Sequence, residues 1–431
     1  MTALDPAGSV PPPPPPPPPV AAPPPPSPVA APPASPPPPA PPGSAPPPAP
    51  PTAATPPVDA ERLARATISL VVEPGDVRCL ALTRELGGVA FLDVLRDHPE
   101  LRAEFAAAAG RLAAVEPERV LEQSARRGIR FVVPGDDEWP ASLDDLARGG
   151  VLQQRGDVPV GLWVRGPLRL DRLASSVAVV GSRSSTSYGD QIASDLAAVV
   201  GATGRPVVSG AAYGVDYAAH RGALSSGAAT VAVLACGVDR AYPVAHRGLL
   251  NHLAEHHAVV SEAPPGASPH RIRFLARNRL IAGFARGTVV VEAALRSGAL
   301  HTAAWAERLN RVVMGTPGLL TSPASEGVHH LLRAGGAVLV TGGEDVLELL
   351  GPAGEDLAPL RRGPDQPRDR LTIRARQILD AVPVAIPAPT TSVALVAGLP
   401  PAEVEQLLQG MSRDGFVERL PAGWRLGELG R

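Results

Sequence analysis

VAVVGSRSSTSYGD (177–190) and VVSGAAYGVDYAAHRGAL (207–224) share one pattern. Each begins as a short apolar run, turns through serine and glycine, and continues with helical spacing. A strand that is apolar without alternation is buried on both faces, which requires helices above and below it. The pattern recurs outward from this stretch. Strands are expected at VAVV (177–180), PVVS (206–209), TVAVLA (230–235), AVVS (258–261), GTVVVE (287–292), RVVM (311–314) and AVLV (337–340), with helical periodicity between them. Strands alternating with helices make a parallel sheet covered on both sides.

The expected fold is α/β: an extended Rossmann-like doubly wound parallel sheet over 126–350, with an N-terminal small helical domain and a C-terminal winged helix. The helical domain spans 59–125. ERLARATISLVV, DVRCLALTRELGG, VAFLDVLRDHPELRAEFAAAAGRLAAV and PERVLEQSARRG read as short amphipathic helices broken at Pro74, Gly87–Gly88 and Gly110. GIRFVVPGDDEWPASLDDL and PVGLWVRGPLRL read as strands and turns leading into the sheet. A polar, Pro-rich linker follows at 351–369. Three short helices and a hairpin around Pro421–Gly423 then make the winged helix at 370–431. Residues 1–58 hold 30 of the 54 prolines and almost no charge. Such a tail is expected to be disordered and to act as a solvated spacer.

The chain has 431 residues and a formal charge of −2, so attraction for an acidic partner must come from local patches. All 40 basic residues are arginine. Without lysine there is no Walker A lysine, no kinase ATP lysine, no Schiff base and no Ser-x-x-Lys pair. Two cysteines, Cys79 and Cys236, make neither a disulfide framework nor a thiolate zinc site. No apolar run is long enough to span a membrane, and the N-terminus lacks the features of a secretory signal. The expected setting is cytoplasmic, and no cofactor or metal is implied.

Gly181 sits where the first strand turns into a helix. Small residues there let backbone amides approach an anion beside a positive helix end, and Arg183 closes on the same phosphate. This is not GxGxxG, and GATGRPVV (201–208) holds no acid for a ribose diol, so dinucleotide binding is disfavoured. The second strand ends in Ser209–Gly210, and a helix starts after Gly214. Two such turns at neighbouring strand ends seat two phosphates of one backbone. Asp216 stands either as an N-terminal helix acid or as a ligand group. The strongest electrostatic feature is SPHRIRFLARNRLIAGFARG. Ala263 to Val291 contains no acid, while Arg271, Arg273, Arg277, Arg279 and Arg286 surround Phe274. Arginines interleaved with an aromatic make a groove for single-stranded nucleic acid.

Other motifs are weaker. NHLAEHH has the H-x-x-E-H order of a zinc peptidase in His252, Glu255 and His256, but no third ligand is recognisable. Cys236 reads as a small buried residue. Glu292 and Ser297–Gly298 lie at another strand end, placed either to act in a nucleotide hydrolase or to shape the turn.

VAVVGSR, VVSGAAYGVDYAAH, VAVLACGVDRAYP with His246, VVSEAPPG, FLARNRLIAG, VVVEAALRSGALHTAAWA and VVMGTPG together resemble the DprA/Smf family, the bacterial DNA-processing proteins of natural transformation. The resemblance covers about 60–350. It implies single-stranded DNA binding and protection without sequence preference, homodimerisation through the Rossmann-like domain, loading of the RecA recombinase onto that DNA, and no catalytic turnover. Carried over by motif, Gly181, Ser182 and Arg183 form the first DNA loop, and Ser209, Gly210, Tyr213 and Gly214 the second. Phe274, Arg277, Asn278 and Arg279 are the F-x-x-R-N-R segment lining the pocket. Tyr213 departs from the family, which often carries lysine there. Two readings compete. A nucleotide phosphoribohydrolase needs a PGG-x-GT-x-x-E loop, which is absent here. A winged-helix regulator of duplex DNA needs a basic recognition helix, but PPAEVEQLLQGMSRDG carries Glu403, Glu405 and Asp414 against Arg413.

Overall fold

The computed structural model describes residues 60–358, 363 and 365–431. The spacer reading of residues 1–58 lies outside the described residues. The first described elements are six helices, α1 (Ala60–Val71), α2 (Val77–Leu86), α3 (Gly88–Asp97), α4 (Pro99–Glu104), α5 (Ala106–Leu112) and α6 (Pro117–Arg126). Gly110 lies inside α5 rather than between helices. One glycine costs a helix interior only about 1 kcal/mol, which packing overrides. The breaks fall instead at His98 and Phe105.

Strand β1 (Ile129–Val132), a small ribbon of β2 (Val151–Leu152) with β3 (Arg155–Gly156), and β4 (Leu162–Arg165) follow. Then come β5 (Val177–Val180), α7 (Ser187–Ala202), β6 (Val207–Ser209), α8 (Val215–Ser225), β7 (Thr230–Val233), α9 (Arg247–His256) and β8 (Ala258–Ser261). The second half holds α10 (Arg271–Phe284), β9 (Gly287–Val290), α11 (Gly298–Arg308), β10 (Val312–Gly315), α12 (Glu326–Arg333), β11 (Val338–Leu339) and α13 (Gly343–Leu350). All seven expected strands are present.

Nine strands form one sheet in the order β1-β4-β8-β7-β6-β5-β9-β10-β11. From β8 to β11 every neighbour is parallel. The mixed segment before β5 supplies the exception: β4 runs antiparallel to β8, and β1 antiparallel to β4. The chain winds from β5 outward to β8, then returns across the sheet to β9 and winds the other way. The carboxyl ends of β5 and β9 therefore flank the point where strand order reverses, which is where open α/β sheets leave a crevice for ligands.

Alternation along β5 shows how the layers are built. Val177 and Val179 pack with Ala193, Leu196, Ala219 and Val346 of α7, α8 and α13. Ala178 and Val180 pack on the other face with Leu280, Phe284 and Ala303 of α10 and α11. Each such buried Val or Leu contributes about 1.5–3 kcal/mol. A third cluster joins the helical region to the sheet: Ala66 of α1 meets Phe131 and Trp163. The Trp163 indole N–H donates to Ser69 Oγ at 2.9 Å, and Arg62 donates to the Phe131 carbonyl at 2.8 Å. Ala66 thus ties the helices to the antiparallel strands, while the helices keep a core of their own around Ile68, Leu80, Phe91 and Leu95.

The C-terminal region has α14 (Ile373–Ala381), α15 (Thr390–Ala397), α16 (Pro401–Arg413) and a hairpin of β12 (Val417–Leu420) with β13 (Gly423–Leu426). Its own core centres on Ile378, Val393, Val404, Leu408 and Trp424. Ala388 bridges to Trp424 and adds a third extended segment to the hairpin.

His220 of α8 is fully buried, with Nδ1 2.8 Å from Thr230 Oγ1. Burial drives its pKa from 6.5 down to about 3. A base whose folded pKa is depressed contributes stability that is present above its unfolded pKa and is lost on acidification. Stability should fall by about 1.4 kcal/mol per pH unit from pH 6.5 toward pH 3 through this group alone. In denaturant titrations across that window, His220→Gln should flatten this part of the pH profile. An unchanged slope would show that other groups carry it.

Candidate nucleic-acid interface

Three pieces of chain converge at the switch point. The first is the turn after β5. Thr186 ends it by capping α7, accepting from the Gly189 amide at 3.1 Å. Glu292, buried at the end of β9, accepts from the Thr186 amide at 2.9 Å and from its hydroxyl at 2.6 Å. Glu292 thus shapes the turn. Inside the turn the Ser184 amide donates to Ser182 Oγ, and Arg183 is left exposed.

The second piece is the turn after β6. The Val215 amide donates to the Ser182 carbonyl at 3.2 Å, so the two turns are tied together. Gly214 has φ +73, and a Cβ there would overlap the Ser182 carbonyl oxygen. Only glycine fits both conditions. Asp216 Oδ2 accepts from the Gly210 amide at 3.1 Å and the Ala212 amide at 3.3 Å. Asp216 stands in the first turn of α8, but the amides it holds belong to the preceding turn and not to the helix. It thereby takes up two amides that the sequence had offered to a phosphate.

The third piece is α10, which places Phe274 beneath Arg183. The guanidinium carbon lies 4.9 Å from the ring centroid, a cation–π distance. Tyr242, from the loop after β7, tilts against Phe274 with centroids 5.6 Å apart. Arg277 is buried behind them. Its Nη1 donates to the Gly210 carbonyl at 2.8 Å and the Val233 carbonyl at 3.0 Å. A Cβ on residue 210 would overlap that guanidinium. Burial pushes the Arg277 guanidinium down and the Asp216 carboxyl up, and the attraction between the two opposes both shifts.

Together these pieces line a groove of about 740 Å³. Its exposed cations are Arg183, Arg271 and Arg296, and among the described residues none has a carboxylate within 4 Å. Among the described residues, the one acid in the lining is the buried Asp216. Gly298, at the N-terminus of α11, and His301 close the far side. A smaller cleft of about 30 Å³ opens beside it between Tyr213, Tyr242 and Phe274. Tyr213 is half exposed and meets His246 edge-on at 4.8 Å.

Gly181, Ser182, Arg183, Phe274, Arg277 and Asn278 all reach the groove, and Gly210 and Tyr213 reach the adjoining cleft. Gly214 acts through the turn it permits. Three expectations need correction. Ser209 is fully buried and donates to the Val179 carbonyl, so it braces the sheet instead of touching a ligand. Arg277 is buried, with Nη1 spent on two backbone carbonyls and Nε on Asn278 Oδ1 at 3.2 Å, so it forms the floor. Arg279 is 0% exposed; it donates to Glu262 at 2.8 Å and to the Gly156 carbonyl at 3.0 Å, away from the groove. Helical spacing explains this. Residues 271, 274, 275, 278 and 281 share the groove face of α10, whereas 273 and 279 point elsewhere. Arg273 pairs with Glu73 at 2.8 Å, and that bond raises the guanidinium and lowers the carboxyl. Two arginines of the acid-free run thus pair with acids outside it, Glu73 and Glu262.

Sequence reasoning missed Arg296 and Tyr242 as groove residues. The signal was present: both follow strands whose carboxyl ends lie on the same edge.

Other chemistry is unsupported by the geometry. Burial raises the Cys236 thiol to about 11, so it is not a thiolate at neutral pH. The His252 and His256 rings lie tilted against each other with centroids 4.7 Å apart on α9, but among the described residues no group of three or more His, Cys, Asp or Glu is arranged to hold a metal. No described helix is long and apolar enough to cross a membrane.

Comparison with known proteins agrees with this architecture. The family model described as DNA recombination-mediator protein A matches residues 130–351. A putative DNA processing protein DprA from Mycobacterium tuberculosis H37Rv is 44% identical over 375 residues, which is 86% of this chain and 95% of that protein. The DNA processing protein DprA of Streptococcus pneumoniae R6 is 42% identical over 213 residues, 49% of this chain and 71% of that one. The X-ray structure of S. pneumoniae DprA superposes with a TM-score of 0.54 at 30% identity, covering 67% of this chain and 96% of that chain. The chain belongs to the DNA recombination-mediator protein A family.

Proposed function

We propose that this protein binds single-stranded DNA without sequence preference in the switch-point groove, and acts as a mediator rather than by turnover. The observation that carries the reading is the set Arg183, Arg271 and Arg296, unpaired with acids around the Phe274 and Tyr242 rings. Guanidiniums without carboxylate partners suit a polyanion, and rings beside them suit bases of any identity. Family membership supports the further reading that the bound strand is passed to RecA during recombination and natural transformation, and that the protein works as a homodimer through the sheet domain. We take the C-terminal helices and hairpin as a winged helix that contacts protein rather than duplex DNA, because α16 carries Glu403 and Glu405. The proposed organisation is a helical domain at 59–125, the DNA-binding sheet domain at 126–350, a linker at 351–369 and the winged helix at 370–431.

The test is salt dependence. Each neutralised phosphate of a single strand contributes about 0.7 to the slope of log affinity against log salt. Arg271→Gln with Arg296→Gln should lower that slope by about 1.4, equally for oligothymidylate and mixed sequence, because phosphates carry no base information. A parental slope in the double variant would place the DNA elsewhere. Release of base from AMP by the purified protein would favour the hydrolase reading instead. RecA delivery is tested by the rate at which RecA coats the strand with and without this protein.

A further inference from the structure

Tyr242 and Pro269 belong to two grooves at once. One side of Tyr242 faces the groove already described. The other side opens into a second, of about 510 Å³, that runs from the loop after β7 along α9 to the end of β4. Arg240 and Arg247 are exposed in its walls, and Arg165, half-buried on β4, stands at its far end. Among the described residues, none of these three guanidiniums has a carboxylate within 4 Å. The acid present, Asp239, is turned to other partners: it accepts from the Gly266 amide at 2.8 Å and faces Arg127. The apolar floor is Leu234, Val238 and Leu250.

We infer that the second groove is a continuation of the DNA path, in which a single strand leaving the switch-point groove turns over Tyr242 and lays its phosphates along Arg240, Arg247 and Arg165. This rests on the single-stranded DNA reading of the first groove. Three cations without carboxylate partners, lining one channel that shares a wall and an aromatic ring with an anion site, suit a ligand that is itself a continuous anion. An isolated phosphate would occupy one cation and leave the others unmatched. A strand satisfies all three, and the Tyr242 ring offers a stacking face at the bend. The same reading assigns Tyr242, which is 41% exposed and lines both grooves, a role that a core aromatic would not have.

The consequence is a dependence on strand length. Oligothymidylates of about 6 and about 15 nucleotides bracket the site sizes usual for single-strand binders, roughly 4–16. Affinities for both are measured by fluorescence anisotropy across a salt series, using the full chain. Arg240→Gln with Arg247→Gln should leave the short oligonucleotide's affinity and slope at the parental values. For the long one it should lower the salt slope by about 1.4 and weaken binding roughly tenfold or more. Both side chains are exposed, and an unchanged melting temperature confirms that the variant is folded. Arg183→Ala separates the two levels of the proposal, since it should weaken both lengths. If Arg183→Ala weakens both lengths but the Arg240/Arg247 variant keeps the parental slope on the long strand, the second groove is not on the path. If Arg183→Ala changes neither, the first-groove reading fails, and this inference with it.

Discussion

Arg279→Met is expected to lower unfolding free energy by about 3–5 kcal/mol, the cost of leaving one partner of a buried ion pair without the other. Arg279 is 0% exposed and Glu262 nearly so, and Glu262 Oε1 also accepts from the Gly75 amide in the loop between α1 and α2. Removing the guanidinium strands a carboxylate that ties this loop to the sheet. Denaturant melts of parent and variant measure the loss. Arg279→Met combined with Glu262→Leu should recover much of it, because an apolar pair of similar volume carries no uncompensated charge. Arg271→Met, on the exposed face of the same helix, should stay within about 0.5 kcal/mol of the parent. If Arg279→Met instead melts like the parent and loses DNA affinity, the side chain contacts the strand and its burial is only local.

The largest loss of DNA affinity is expected from Arg183→Ala combined with Phe274→Ala. A charge-assisted phosphate contact is worth about 1.5–3 kcal/mol, and a base stacked on an aromatic about 1–3 kcal/mol. The two side chains touch, with the guanidinium 4.9 Å from the ring. Each single change therefore disturbs the other's platform, and the pair should lose less than the sum. A combined loss of roughly 3–4 kcal/mol is a hundredfold to a thousandfold in affinity. The single variants should differ in kind. Arg183→Ala should reduce the salt slope, and Phe274→Ala should lower affinity at every salt concentration without changing it. Affinities within threefold of the parent for the double variant, in a protein of parental melting temperature, would remove the groove from the binding site.

Within α10, the helix period sets Arg271 and Phe274 on a different side from Arg273, but reading the run as one charged stretch groups all its arginines together, Arg279 included. The helix spacing is local and therefore legible. The identity of the partners was not, because Glu73 lies 200 residues before Arg273 and Glu262 lies just outside the acid-free window, 17 residues before Arg279. A missing acid in a sequence window says nothing about acids brought in by the fold.

The sequence by itself determined the parallel sheet, since unalternating Val and Ala runs are stable only where both faces are covered. It also made legible the two glycine turns at adjoining strand ends, at Gly181 and at Gly210 to Gly214; the fold adds the reason, since a Cβ on Gly181 would meet Val215 and one on Gly214 the Ser182 carbonyl. Tertiary structure decided which arginines face the groove, that Asp216 takes the amides of the second turn, and that Arg296 and Tyr242 join Arg183 and Phe274 across the switch point. Strand formation depends on the residue pattern within a few positions. The site depends on where crossovers return, and on charge partners that only the folded chain brings within 3 Å.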